Sequence, residues 1–385
     1  MAKKKKTTYI RSRVNVTKAV VLSVGIVIAI VGAVGLADTL RSGAGAATSL
    51  RSGYGMSDPA AAVAEPAVRD AYLDGVKSMG MRWVRTDLAW KYLQPTKGGA
   101  YNWAIYDGFV RAAAQRGIQV IGILDYAPDW AAAPDCNVTQ GLCPPASLSQ
   151  FNSYVNATVR HYKALGVRTW EVWNEPNIAL FWGPKPNAAT YTSLLKNSYN
   201  TIKSIDSGAV VISSGLAPAD TTDTTAAPED FLRAVYANGG KRYFDAVGAH
   251  PYSYPAAPGD TDPWSGWQRM VNMHNIMQAN GDGAKKVWAT EVGAPTNGPG
   301  VMASQYDRKY AQYPDHVDEA FQAYILSQAV AVFRSYSWAG PMLFYDYRDL
   351  STATTTNENF FGILRFDGSQ KPGYSSLKEA IRLHP

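Results

Sequence analysis

Arg168-Thr-Trp-Glu-Val-Trp-Asn-Glu-Pro-Asn177 is the stretch whose reading decides the rest of this chain. It follows Ala164-Leu-Gly166, a helix-ending sequence, and the short β-prone run Trp170 to Trp173 predicts a strand. Pro176 ends that strand, because its nitrogen carries no proton for a ladder hydrogen bond. Proline also biases the residue before it, Glu175, toward extended geometry. A glutamate at the carboxyl tip of a parallel strand stands where barrels and open α/β sheets carry out their chemistry. The same Asn-Glu-Pro could also close an ordinary exposed turn, so the flanking sequence has to decide between the two.

On both sides of this stretch, short β-like runs alternate with helical ones. Strands are predicted at Ser52–Met56, Arg82–Thr86, Ile118–Leu124, Trp170–Trp173, Ala209–Ser213, Phe244–His250, Lys286–Glu291 and Pro341–Tyr345. A helical stretch follows each, such as Pro66–Met79, with Val68, Tyr72, Leu73 and Val76 at helical spacing and Gly80 after it. Eight strand–helix units without a second core predict a single (β/α)8 TIM barrel. The rival is a doubly wound open sheet, which usually carries a glycine-rich phosphate loop after its first strand; neither GxGxxG nor GxxxxGK[ST] occurs here. No repeat of 20–50 residues and no second-domain boundary is evident.

The 385 residues are 46% hydrophobic and 18% charged, a globular composition. The formal charge of +6 is misleading, because Lys3, Lys4, Lys5, Lys6, Arg11, Arg13 and Lys18 supply it and leave the remainder close to neutral. Residues 1–18 thus form a basic tail. Residues 19–37 are apolar and uncharged, near the roughly 20 residues a bilayer-crossing helix needs. Positive charge before such a segment keeps that end in the cytoplasm and sends the downstream chain outside. The segment is either a transmembrane anchor or a long signal peptide cut near Gly35-Leu-Ala37. The expectation is a single-pass membrane protein with an extracytoplasmic domain, or a secreted one if the segment is cleaved. Residues 38–48 read as a flexible linker and 49–385 as the barrel. The lysine run would lie against the membrane, which argues against a nucleic-acid partner. In an extracellular setting Cys136 and Cys143 are expected to form a local disulfide rather than remain two free thiols.

In a barrel the carboxyl ends of the strands converge on one mouth. They bring Arg85, Asp87 and Trp90 from the second strand, Asp125, Tyr126 and Trp130 from the third, and Trp173, Asn174 and Glu175 from the fourth. His250 and Tyr252 follow the sixth, Glu291 ends the seventh, and Tyr345 and Asp346 end the eighth, with Trp338 just before it. Two glutamates face each other across a mouth rich in aromatic groups; the chain holds 11 Trp and 23 Tyr. Paired carboxylates beside aromatic platforms are what cleavage of a glycosidic bond requires. Trp90, Trp130, Trp182, Trp264, Trp267 and Trp338 are candidate sugar platforms, although core or rim packing accounts for each taken singly.

Trp173-Asn-Glu-Pro176 and Ala289-Thr-Glu-Val-Gly293, on those strands, resemble the signatures of clan A glycoside hydrolases, and most closely those of families 39 and 5. Arg82-Trp-Val-Arg-Thr-Asp87, Gly248-Ala-His-Pro-Tyr252 and the ending Phe361-Gly-Ile-Leu-Arg-Phe-Asp-Gly-Ser-Gln-Lys-Pro-Gly-Tyr374 extend the resemblance over about residues 50–385. It implies Glu175 as general acid/base and Glu291 as nucleophile of a retaining hydrolase. It also implies that Arg85 orients Glu291, that Asn174 holds the sugar 2-OH, and that His250 and Tyr252 line the site beside the nucleophile; Trp130, Trp338 and Tyr345, from their places beside the strands, are further candidates to line it. Many family 5 members have a histidine at the end of the third strand, where this chain has Asp125-Tyr126. The substrate would be an extracytoplasmic poly- or oligosaccharide, with no metal and no organic cofactor implied. A transglycosylase using the same intermediate and a catalytically inactive sugar-binding barrel are the alternatives. The sugar, the linkage and the oligomeric state are not legible in the sequence.

Overall fold

In the computed structural model, residues 53–137, 142–303 and 315–385 are described. The basic tail 1–18, the apolar segment 19–37 and the linker 38–48 lie outside them. Among the described residues no helix is long and apolar enough to cross a membrane. The barrel strands are β1 (Tyr54–Ser57), β2 (Trp83–Asp87), β3 (Gln119–Leu124), β4 (Thr169–Val172), β5 (Val210–Leu216), β6 (Ala246–Ala249), β7 (Lys286–Val292) and β8 (Ala339–Phe344). The helices that follow them are α1 (Pro66–Ser78), α2 (Ala104–Gln115), α3 (Leu148–Ala164), α4 (Ala188–Ile205), α5 (Pro228–Ala237), α6 (Gly266–Ala279), α7 (Glu319–Ser335) and α8 (Pro372–Leu383). Each strand pairs in parallel with its sequence neighbours, and β1 closes on β8 with Tyr54 opposite Met342. This is the expected eightfold barrel.

The strands are short and buried almost throughout, as parallel strands covered on both faces should be. Their inward side chains fill the barrel floor: Trp83, Ile121, Ile212, Ala246, Trp288 and Leu343 form one cluster, with Trp83 and Trp288 edge to face at 5.3 Å. The outward side chains pack under the helices. Several of these helices start at side-chain caps. Ser147 accepts from the Gln150 N–H, Asn187 from the Thr190 N–H and Asp318 from the Phe321 N–H. Such a cap satisfies one of the free donors in the first turn and contributes about 1 kcal/mol.

Cys136 and Cys143 are joined, with 5.7 Å between their Cα atoms. A Cβ on Gly183 would lie 2.7 Å from the Cys136 sulfur, so the bridge packs against the loop after β4. Leu142 donates its N–H to the Leu180 carbonyl, which draws the loops after β3 and β4 together beside the mouth.

Candidate active site

Arg85 organises the centre of the barrel. Alternation along β2 turns it inward, where it is 1% exposed. Its guanidinium donates to both Glu171 oxygens (2.6 and 3.2 Å), to Glu291 Oε1 (2.6 Å), to Asn174 Oδ1 (2.8 Å) and to Ser57 Oγ (3.1 Å). Glu171 also accepts the Gly215 N–H at 2.7 Å and the Thr290 hydroxyl at 3.3 Å. A buried ion pair of this kind is tolerated only when its remaining donors and acceptors are matched, and here they are. Sequence reasoning does not single out Glu171. The available signal is a charged residue inside an otherwise apolar strand, which must either be paired or break the strand.

Glu175 leaves the end of β4 in an unusual conformation. Its φ is +45°, and Trp173 two residues earlier has φ +73°. This corrects the extended geometry expected before Pro176. Left-handed backbone at a residue with a Cβ costs on the order of 1–3 kcal/mol and persists only where the surroundings enforce it. Here the Trp173 N–H donates to the Leu124 carbonyl, the Trp173 indole to the Phe181 carbonyl and the Glu175 N–H to the Gly215 carbonyl. These bonds come from β3, from the following loop and from β5, so local preference is overruled by tertiary contacts. The result turns the Glu175 side chain onto His250, with Nδ1 and Oε1 2.7 Å apart.

Gly215 makes that arrangement possible. A Cβ there would stand 2.1 Å from His250 Nε2 and 2.6 Å from Thr290 Oγ1. Replacing Gly215 with Ala should therefore displace the imidazole that holds Glu175. We expect a loss of roughly 10²-fold in kcat/KM, the usual cost of misplacing a reacting group by about 1 Å. Steady-state kinetics, with circular dichroism to verify that the barrel folds, would check it.

Glu291 lies at the end of β7, held by Arg85 and by the Tyr252 hydroxyl, which donates to Oε2 at 2.7 Å. One oxygen of Glu175, one of Glu291 and a nitrogen of His250 lie within 4.8 Å of one another. The two glutamates differ in their electrostatic surroundings. Burial, reinforced by the Glu291 charge, raises Glu175 above the usual glutamate value against the opposing pull of His250 and Arg85. Burial works in the same direction on Glu291, but the charges of His250 and Arg85 and the hydrogen bonds from Tyr252 and Arg85 outweigh it and hold Glu291 below that value. One carboxyl group is thereby disposed to keep its proton and the other to lose it. The same three side chains could each offer an atom to a cation, but Glu291 is already neutralised by Arg85 and both glutamates already have hydrogen-bond partners.

Arg85, Asn174, Glu175, His250, Tyr252 and Glu291 are thus brought together as the sequence predicts. Tyr345 joins them at the end of β8, its ring 5.3 Å from Phe361, against which Tyr252 also packs at 5.6 Å. Trp130 lies on the mouth side after β3, half-buried and edge-on to Trp90, with its indole donating to the Gln94 carbonyl. Trp338 is a correction: it precedes β8, at the amino end of the barrel, and stacks on His274 (4.6 Å) and Tyr336 (4.4 Å). A residue before a strand and one after it stand at opposite ends of the barrel, so Trp338 cannot line the mouth. Trp90, Trp182 and Trp267 are buried core side chains, whereas Trp264 is exposed on the loop after β6. Phe361 and Thr290 complete the set that sequence reasoning misses. Neither side chain carries a chemical signal of its own in the sequence. A groove of about 860 Å³ opens at the amino end of the barrel, between Arg82, Tyr374 and Arg382, away from all of these groups.

An eightfold barrel with two close glutamates and an arginine clamp at the carboxyl ends of its strands defines a clan A glycoside hydrolase. The family model described as cellulase (glycosyl hydrolase family 5) matches residues 47–324, and the chain belongs to that family. It is also similar to a β-xylosidase from Geobacillus stearothermophilus, 28% identical over 162 residues, which cover 36% of this chain and 32% of that protein. The matched part is thus about a third of that relative. Among solved structures, the barrel resembles a family 39 glycoside hydrolase from Bacteroides cellulosilyticus (TM-score 0.66, 22% identity, 86% of this chain and 64% of that one). It also resembles a GH5_18 protein from Streptomyces cattleya determined with Manb1-4GlcNAc (TM-score 0.61, 16% identity, 86% of this chain and 80% of that one).

Proposed function

We propose that this protein is a retaining glycosidase that hydrolyses an oligo- or polysaccharide by double displacement. Glu291 attacks the anomeric carbon while Glu175 gives its proton to the departing oxygen. Glu175, then ionised, takes a proton from water as that water displaces Glu291 from the sugar. Arg85 keeps Glu291 ionised and aimed, and Asn174, fixed by the same guanidinium, offers its amide to the 2-OH. The observation that carries this reading is the closeness of the two glutamates, within 4.8 Å at their nearest oxygens. Retaining enzymes hold the pair about 5–5.5 Å apart, whereas inverting ones leave about 6.5–9.5 Å for a water. One relative is a β-xylosidase and another was determined with Manb1-4GlcNAc, so β-linked hexosides and pentosides are the substrates to try first.

The test is to follow the anomeric proton of the released sugar by NMR during turnover of an aryl glycoside panel. A product that first appears with the substrate's configuration supports double displacement. First release with the opposite configuration would sink it, and with it the role of Glu291.

The same reading puts the catalytic domain outside the cytoplasm, tethered through residues 19–37 or released by their cleavage. Its support is the basic-then-apolar order of residues 1–37. Deleting residues 1–37 should move the protein from the membrane to the soluble fraction and leave kcat unchanged. Full-length protein recovered in the cytosolic fraction overturns the assignment.

A further inference from the structure

At the carboxyl ends of β2 and β3 two carboxyl groups meet that the reaction above does not use. Alternation runs from Trp83 on the barrel floor through Arg85 to Asp87, and from Ile121 on the same floor through Ile123 to Asp125. Both aspartates therefore point into the barrel at its upper end, above the Arg85 guanidinium. Asp87 is partly exposed, and Asp125 is fully buried. Neither Asp125 oxygen meets an N–H or O–H donor among the described residues. The group beside it across the β2–β3 pairing is the Asp87 carboxyl.

Two ionised carboxylates side by side repel and offer each other only acceptors, which favours one of the two keeping its proton. Burial and then the Asp87 charge push Asp125 well above the usual aspartate range, so Asp125 is the one disposed to keep it. Asp87 lies beside Arg85 and Lys91, whose charges favour its ionised form, although burial raises it to about 6. The pair is thus an acid beneath a carboxylate that is itself partly exposed. For stability alone two apolar side chains would serve better, since an unmatched buried polar group costs free energy. A ligand contact accounts for the pair where packing does not.

We infer that Asp87 accepts hydroxyl groups of the sugar ring held between Glu175 and Glu291, and that Asp125 is a positioning residue that orients Asp87 from below through the shared proton. This rests on the glycosidase reading. The ligand it selects is a neutral sugar unit with free hydroxyls facing β2 and β3. A sugar carrying a carboxylate at that edge would meet the Asp87 charge.

The test compares full-length wild type with Asp87→Ala, Asp87→Asn, Asp125→Ala and Asp125→Asn on the aryl glycoside wild type cleaves best, on its monodeoxy analogues and on the matching uronide. Asp87→Ala should lower kcat/KM on the parent glycoside at least about tenfold, as loss of a designed hydroxyl contact does. On one monodeoxy analogue the same variant should equal wild type, which identifies the hydroxyl. Asp125→Asn, whose amide can donate to Asp87 in place of the acid, should retain most activity, whereas Asp125→Ala should fall with Asp87→Ala. Asp87→Asn keeps the shape of the site, so its loss on the parent glycoside cannot be ascribed to misfolding. Unchanged kinetics in Asp87→Ala, an equal loss on the parent and every deoxy analogue, or a preference for the uronide overturns the contact. Infrared difference spectroscopy gives a readout independent of turnover. A carboxylic acid band that persists above the usual aspartate range and vanishes in Asp125→Asn supports the shared proton, and its absence from wild type overturns it. A wild type that cleaves none of the glycosides overturns the glycosidase reading and the hydroxyl contact with it, while the infrared band still decides the proton.

Discussion

Glu291→Gly is expected to lower kcat by about four orders of magnitude or more, the scale seen when a nucleophile is removed from a preorganised site. The variant should fold, because the truncation opens space at the mouth and leaves the Arg85–Glu171 pair in place, with Arg85 donating to both Glu171 oxygens. Adding azide tests the assignment directly. A small anion can enter the space left by the carboxylate, beside Arg85, and attack the anomeric carbon from the same side. With no second displacement after it, the product should be a glycosyl azide of inverted configuration. Rescue without inversion, or activity within tenfold of wild type, would remove Glu291 from the role of nucleophile. Tyr252 and Arg85 would then be holding a carboxylate with no chemical part.

Glu175→Gln has the second largest expected effect, and its size should depend on the leaving group. General acid/base assistance contributes about 10²–10⁴-fold, and it matters most when the departing oxygen is basic. Natural saccharides should therefore lose nearly all turnover. Aryl glycosides with acidic phenols should still glycosylate Glu291 and then stall, because no base activates the water. A burst of phenol followed by a slow steady state is the expected trace. The pH profile gives the same assignment from the opposite direction. On the proposed roles, activity needs Glu291 ionised and Glu175 protonated. It should rise with pH through the Glu291 value, which Arg85 and His250 hold below the ordinary glutamate range, and fall through the Glu175 value, which burial and Glu291 raise above it. In Glu175→Gln the falling limb should disappear and the rising limb remain. Loss of the rising limb instead would exchange the two roles.

The loss expected for Gly215→Ala has the same origin, since His250 connects the two glutamates. Its Nδ1 is 2.7 Å from Glu175 Oε1 and 3.6 Å from Glu291 Oε2. A residue without a side chain on β5 is thus as much a part of the site as the imidazole it admits.

The legible part of the fold and site rests on short-range rules. Strand and helix alternate because hydrophobic period and helix-ending glycines are local, and a strict βα order leaves few topologies. The carboxyl ends of those strands then share one mouth wherever the barrel closes, which is why Glu175 and Glu291, 116 positions apart, can be paired from the sequence. Asn174, Arg85, His250 and Tyr252 are legible for the same reason. The Trp338 expectation fails because an aromatic next to a strand says nothing of which end of the barrel it adjoins.

Tertiary structure decided the rest. Pro176 argues locally for an extended Glu175, yet bonds from Gly215 and the neighbouring strand hold it at positive φ, because several long-range hydrogen bonds outweigh one local preference. Glu171 and Thr290 become partners of Arg85 and His250 only when β2, β4 and β7 converge on one axis. Whether Asp125 is an ordinary acid or a shared-proton partner of Asp87 depends on which donors reach it, and that is a property of packing. The sequence by itself determined the barrel, the order of its strands and the two glutamates at its mouth, since all three follow from periodicity and topology. The resemblance names Glu175 as the acid, but only the folded barrel supplies the physical reason, because burial and neighbouring charge set that balance and neither exists before the strands close.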